Sequence, residues 1–190
     1  MNNKRYSLKT VILIGMFIAL QVILARFVSI PVSDGLRLSF ETIPIILAGF
    51  WLGPVAGMIV GGLSDLLGAL LFPFGPYFPL LTLGPVILGC LSGLGGAALS
   101  KLELTEWKSC WKVFVLVILA EIANSILYGT WALTLYYSMI LSKEMPFHVL
   151  LLARLPGKAI TIALDCVIVF LLHKALYERI FLKYRSEESI

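Results

Sequence analysis

Apolar residues fill this chain in long blocks rather than marking one face of each segment. From Ser7 to Ala25 only Lys9 is charged, and a bilayer core of about 30 Å takes roughly 20 helical residues. A polar stretch follows from Arg26 to Glu41, carrying Pro31, Ser33, Asp34, Gly35 and Arg37. Thr42–Leu52 is apolar but too short to span alone, and Gly53-Pro54 breaks it before the next block, Val55–Leu71. Pro73-Phe74-Gly75-Pro76 is a second break, with Pro79 close behind, and Thr82–Leu99 is the next helix, started or distorted by Pro85. A polar loop from Lys101 to Lys112 separates it from a long block, Val113–Leu141, which Ser142-Lys143-Glu144-Met145-Pro146 ends. Phe147–Leu176 is the last, with a charged tail from Lys174. The pattern predicts an all-α membrane protein, a six-transmembrane-helix bundle forming one domain over residues 1–190, with spans near 7–25, 42–52, 55–71, 82–99, 113–141 and 147–176.

Composition agrees. Of 190 residues, 59% are hydrophobic and only 14% charged, and the mean hydropathy is +0.97. A soluble domain carries about 25% charged and roughly 45–50% apolar residues, so this chain has too few charges to cover a core in water. Disorder, collagen, coiled coil and a disulfide scaffold are excluded by the same figures. Cys90, Cys110 and Cys166 are odd in number and widely spaced, which supports neither a disulfide framework nor a zinc site. The basic start (Lys4, Arg5, Lys9) resembles a signal peptide, but no small-residue cleavage site follows; it reads as the approach to the first span.

Six spans put both termini on one side. Lys4, Arg5, Lys9, Lys101, Lys108, Lys112, Lys174, Arg179, Lys183 and Arg185 then share that side, against Arg26, Arg37, Lys143, Arg154 and Lys158 on or toward the other. The positive-inside rule makes both termini cytoplasmic. Small residues predict how the helices meet: Gly53, Gly57 and Gly61, extended by Ala69, form one ridge, and Gly89, Gly93 and Ala97 another. Gly15 and Ala19 sit among bulky neighbours in the first helix, where they serve either internal packing or a groove for a partner helix.

Ionisable groups inside a bilayer usually face a cavity or a partner. The candidates are Asp65, Glu121, Arg154, Lys158 and Asp165. Arg154 and Lys158 stack one turn apart. They suit a bound carboxylate or phosphate, or else they pair with Asp65, Glu121 or Asp165. Glu121, Asn124, Tyr128 and Trp131 make a polar and aromatic stripe on the fifth helix, suited to a flat, hydrogen-bonding heterocycle. Trp131 also fits an interfacial belt. The aromatic, proline-stiffened Phe72–Pro79 loop lies on the same outer side and offers a wall or lid. No His-Glu-x-x-His, phosphate loop or G-x-S-x-G occurs. No metal, cofactor or enzymatic activity is expected, nor any nucleic-acid partner, and ATP-driven work would need separate subunits.

The order of these features resembles the substrate-binding S components of energy-coupling factor (ECF) vitamin transporters, most closely the folate-specific FolT group. The resemblance is carried by Ala25-Arg26-Phe27-Val28-Ser29-Ile30, Leu36-Arg37-Leu38-Ser39-Phe40, Ile43-Pro44, Ala48-Gly49-Phe50, Leu52-Gly53-Pro54, Ser64-Asp65-Leu66-Leu67-Gly68 and Phe72–Pro79 into Leu81-Thr82-Leu83, with Arg154-Leu155-Pro156-Gly157-Lys158 a weaker match. It implies a multi-pass subunit of the bacterial plasma membrane. Such a subunit binds a vitamin from outside, docks on a transmembrane T subunit carrying two cytoplasmic ATP-binding subunits, and topples to release its cargo inside. Gly15 and Ala19 occupy the place of the family's small-x-x-x-small contact with the T subunit. Arg26, Arg37, Arg154 and Lys158 become candidate cations for folate, Tyr77, Phe78, Tyr128 and Trp131 stacking residues, and Asn124 a hydrogen-bonding group, with Asp65 or Glu121 behind it. S components for pantothenate, riboflavin or a pyrimidine precursor, a structural membrane protein and an intramembrane enzyme are the alternatives.

Overall fold

The computed structural model describes residues 7–28, 30–33, 36–38, 40–73, 75–99, 110–143 and 145–176. The elements run α1 (Leu8–Phe27), β1 (Ile30–Ser33), β2 (Leu36–Leu38), α2 (Thr42–Leu52), α3 (Pro54–Leu71), α4 (Pro79–Leu99), α5 (Cys110–Glu121), a π-helical stretch (Ile122–Tyr128), α6 (Gly129–Met139) and α7 (Phe147–Leu176). Among the described residues five stretches are long and apolar enough to cross a membrane, Leu8–Phe27, Pro54–Leu71, Pro79–Ala98, Lys112–Met139 and Phe147–Ala175, and Thr42–Leu52 is a shorter sixth. The all-α bundle expected from the blocks is present, with one addition. The polar stretch after α1 is a small antiparallel hairpin, Ile30 opposite Leu38 and Pro31 opposite Arg37, with an irregularity between Pro31 and Ser33. The basic ends and most of the Lys101–Lys112 loop, on which the orientation rests, lie outside the described residues.

The short α2 is the centre of the molecule. Every residue from Thr42 to Gly49 is buried, and a helix that is apolar all round belongs in a core. Its Ile43, Ile45, Ile46 and Leu47 pack with Ala56 and Val60 of α3, Leu88 of α4, Val117 of α5 and Val169 of α7. Gly53 ends it at φ +93°, a conformation that suits glycine, and Pro54 opens α3 as its first residue. Gly53 is the corner between α2 and α3, and its backbone also joins the ridge, since a Cβ on Gly93 of α4 would stand 2.8 Å from the Gly53 carbonyl carbon. The ridge proper is Gly57 and Gly61 against Gly89 and Pro85 of α4, while Gly49 meets Ser92 and Gly93 meets Pro54. Lipid is as apolar as leucine, so such backbone approach, not exclusion of water, is what draws these helices together.

At one end of the bundle α1 and α3 finish side by side. Arg26 donates from Nη1 to the Phe72 carbonyl at 2.9 Å, and its guanidinium lies over Gly68, where a Cβ would stand 2.9 Å from Nε. The cation thus sits at the C-terminal end of α3, where the helix dipole favours it. Phe27 and Phe72 meet edge to face at 5.4 Å. The hairpin follows α1 and the connection to α4 follows α3 at this end, and β2 packs on α7.

Candidate functional site

The segment from Glu121 to Tyr128 is where the helical regularity fails. Seven residues adopt π geometry, a form found mostly as local bulges and frequently at functional sites. The wider turn brings Asn124 and Ser125 inside, both 7% exposed, and directs Tyr128 to α4, where its hydroxyl donates to the Leu80 carbonyl at 2.8 Å. Gly84 of α4 makes the space: a Cβ there would stand 3.0 Å from Asn124 Oδ1 and 3.7 Å from the Tyr128 ring. Asn124 Oδ1 is buried without a hydrogen-bond partner among the described residues.

Arg154 faces this segment from α7. Its Nη1 donates to Thr130 Oγ1 at 3.1 Å, and Gly129 leaves room for the guanidinium, since a Cβ there would be 3.8 Å from both Nη atoms. A guanidinium carries five N–H donors, and among the described residues Arg154 forms no ion pair. Aromatic pairs stand on the π stretch, on α6 and on the connection before α4. Phe78 and Tyr136 lie 5.9 Å apart, Tyr136 and Tyr137 6.0 Å, and Tyr128 and Trp131 5.8 Å. Thr82 Oγ1 donates to the Tyr77 hydroxyl at 3.2 Å, which fixes the connection to the first turn of α4. Trp131 and Tyr77, 47% and 44% exposed, sit on the rim.

Deeper lies a second polar group. Glu121 of α5 and Asp165 of α7 are both fully buried. Ser125 Oγ donates to Glu121 Oε2 at 3.0 Å, and Thr42, the first residue of α2, donates to Asp165 Oδ2 at 2.5 Å. The other carboxyl oxygens, Glu121 Oε1 and Asp165 Oδ1, have no hydrogen-bond partner among the described residues. Lys158 is half-buried on α7, seven residues before Asp165 and so on the same side of that helix.

The structure brings Asn124 and Tyr128 together at Gly84, Tyr128 beside Trp131, Phe78 beside Tyr136, and Arg154 against Gly129 and Thr130, while Lys158 is half-buried one turn further along α7. Arg26 is engaged at the end of α3, and Asp65 is half-buried on that helix. Arg37 lies in β2, its side chain outside the described part. Gly15 and Ala19 are exposed on α1, and a Cβ on Gly15 would meet nothing within 4 Å. Thr130, Tyr136 and Tyr137 were not singled out from the sequence. The π stretch rotates the helix beyond it, so the residues facing Arg154 depart from the three-or-four spacing that carried the expected stripe.

A family model for "ECF-type riboflavin transporter, S component" matches residues 5–178. Two curated relatives are folate transporters FolT. That of Clostridium novyi (strain NT) is 38% identical over 87 residues, 44% of this chain and 50% of the relative. That of Leuconostoc mesenteroides subsp. mesenteroides is 28% identical over 128 residues, 67% of this chain and 65% of the relative. The matched stretches thus span from half to just under two thirds of these proteins. Among solved structures, FolT bound with folic acid superposes with a TM-score of 0.69 at 24% identity, covering 87% of this chain and 93% of that one. The S component of a bacterial ECF transporter gives 0.62 at 26%, covering 90% and 96%.

Proposed function

The chain belongs to the family of ECF-type riboflavin transporter S components, and on that premise we propose that it binds folate from outside the cell and delivers it to an ATP-driven importer. The observation that carries the choice of ligand is Arg154, a half-buried guanidinium with a hydroxyl partner and no acid partner among the described residues. Folate pairs a flat pterin with a dicarboxylate tail. Aromatic faces receive the ring, and a guanidinium binds a carboxylate through two parallel hydrogen bonds. The likeness to FolT proteins supports the same choice.

The family description favours riboflavin as a second reading. Riboflavin also carries a flat heterocycle, but its ribityl chain is neutral and leaves the half-buried Arg154 without a counter-charge. In the folate reading Arg154 takes a ligand carboxylate, Tyr128, Trp131, Tyr77 and Phe78 line the ring and the middle of the ligand, and Asn124 faces heterocycle nitrogens. Arg37 and Arg26, near the hairpin, add positive potential at the entrance, and Asp65 stands behind them.

Coupling follows the S-component pattern. Both termini are cytoplasmic, the α1 face around Gly15 and Ala19 docks on a transmembrane T subunit, and two ATP-binding subunits on the cytoplasmic side drive the toppling that releases the vitamin. The purified chain is then a binding protein of the cell membrane without ATPase activity of its own. Titration of the detergent-solubilised chain with folate and with riboflavin tests the assignment. Saturable binding of folate at micromolar concentration or below, with riboflavin weaker, supports it; tight riboflavin binding without folate binding overturns the ligand and leaves the family untouched.

A further inference from the structure

Arg154 and Lys158 stack on one face of α7, yet their surroundings differ. Arg154 meets Thr130 and the gap at Gly129. One turn further along, Lys158 shares its face with Thr161 and Asp165, which follow at i+3 and i+7. Asp165 is tied to the start of α2 through Thr42, and Glu121, held by Ser125, faces the same helix from α5, which packs on α7. Asp165 and Glu121 each stand eleven residues from the ends Leu176 and Cys110, about 16 Å into the bundle at 1.5 Å per residue. Two fully buried acids, each with one carboxyl oxygen lacking a hydrogen bond among the described residues, need positive charge or protons nearby. Desolvated like charges on neighbouring helices otherwise repel strongly.

We propose that Lys158 is the counter-charge of the buried Glu121–Asp165 pair and acts as a positioning residue, holding α7 against α2 and α5 so that, of the two cations on α7, Arg154 faces the ligand. Thr42 extends the cluster to the foot of the hairpin, because it is the first residue of α2 and the hairpin's second strand packs on α7. The charge pattern along α7 thus divides into one cation for the ligand and one for the protein. The ligand-binding arm of the test rests on the folate reading; the stability arm does not.

The test uses the full chain in detergent and reads the melting temperature without ligand and the folate Kd. Lys158→Met is expected to lower the melting temperature by about 5 °C or more, because one partner of a buried charge group is removed, and to raise the Kd about tenfold through displacement of Arg154. The double replacements Lys158→Met with Glu121→Gln, and Lys158→Met with Asp165→Asn, remove the stranded charge, and at least one is expected to return both quantities to within about twofold or 2 °C of the parent. Lys158→Arg, which keeps the charge, is expected to stay near the parent. Should Lys158→Met fail to fold, recovery in a double replacement carries the same information. Recovery of melting temperature with Kd still raised in both doubles would make Lys158 a ligand contact and overturn the proposal. No loss of stability in Lys158→Met, or no recovery in either double, also overturns it. A parent chain that binds no folate removes the ligand assignment, and the melting temperatures still decide the role of Lys158.

Discussion

Gly57 of α3 and Gly89 of α4 meet backbone to backbone: a Cβ built on Gly57 would stand 2.9 Å from the carbonyl carbon of Gly89, and one on Gly89 would stand 2.8 Å from the amide nitrogen of Met58. Neither neighbour is a flexible side chain that can turn aside. The contact continues through Gly61 to Pro85, and through Gly93 to Pro54, so α3 and α4 lie together along much of their length. With α2 they form the most closely packed part of the bundle.

Replacement of Gly57 or Gly89 by alanine forces these helices apart. Overpacking a close contact costs about 1–3 kcal/mol. The expected result is a lower melting temperature for each single variant in detergent, with less than the summed loss in the double, because both side chains push on one gap. An unchanged melting temperature in both would mean that the helices do not approach as described.

Arg154 has a hydroxyl partner rather than an acid among the described residues. Its replacement by alanine therefore removes a ligand contact without stranding a carboxylate. Charge-assisted hydrogen bonds contribute about 1.5–3 kcal/mol each, and 1.4 kcal/mol is one decade of affinity. Arg154→Ala is expected to weaken folate binding about tenfold or more while the ligand-free melting temperature stays close to the parent. Normal folate affinity would move the carboxylate site elsewhere.

Much of this fold is legible in the alternation of apolar blocks and breakers. Gly53-Pro54, the Pro73–Pro79 connection and the polar 142–146 segment each separate helices where they stand, because clustered prolines, a glycine at positive φ and polar residues break a helix together, whereas the lone Pro85 and Pro156 are carried inside α4 and α7. The spacing of Gly53, Gly57 and Gly89 foretold close packing, and Gly53 in addition makes the turn at positive φ. The hairpin was not foretold: its strands are too short for an alternating pattern to stand out. The π stretch was also hidden, since Ile122–Tyr128 has ordinary helix-compatible residues and the bulge depends on how α5 meets its neighbours. That is why Tyr128 was found from spacing while Thr130 and Tyr136 were not. Arg154 and Lys158 were read together because a sequence gives their stacking; that Arg154 faces a hydroxyl, Thr130, depends on α6.

Tyr128 joins the π stretch to α4 through the Leu80 carbonyl, and its ring packs beside Trp131. Tyr128→Phe keeps the ring and removes the hydroxyl. A neutral hydrogen bond contributes about 1 kcal/mol, so a small fall in melting temperature is expected. Folate affinity should drop less than tenfold, whereas Tyr128→Ala, which also removes the stacking face, should exceed that. Equal affinities for the two variants would mean that the ring does not line the ligand.

The α1 face around Gly15 and Ala19 is open. Gly15 has no atom within 4 Å of where its Cβ would be, and Val11, Ile12, Met16, Leu20 and Ile23 beside it are exposed. Internal packing, one of the two uses open to this pair in the sequence, does not consume Gly15. A side chain added there fills no space inside the protein, so Gly15→Leu or Ala19→Leu is expected to leave the melting temperature and folate affinity of the isolated chain unchanged. A partner helix would be held away from the backbone, where close approach supplies the attraction. The expected outcome is loss of co-purification with the T subunit and of folate uptake in cells, measured on the same variants whose binding is intact. Lipid facing this surface would leave uptake normal in both variants, and the docking assignment would then fall while the ligand site stood.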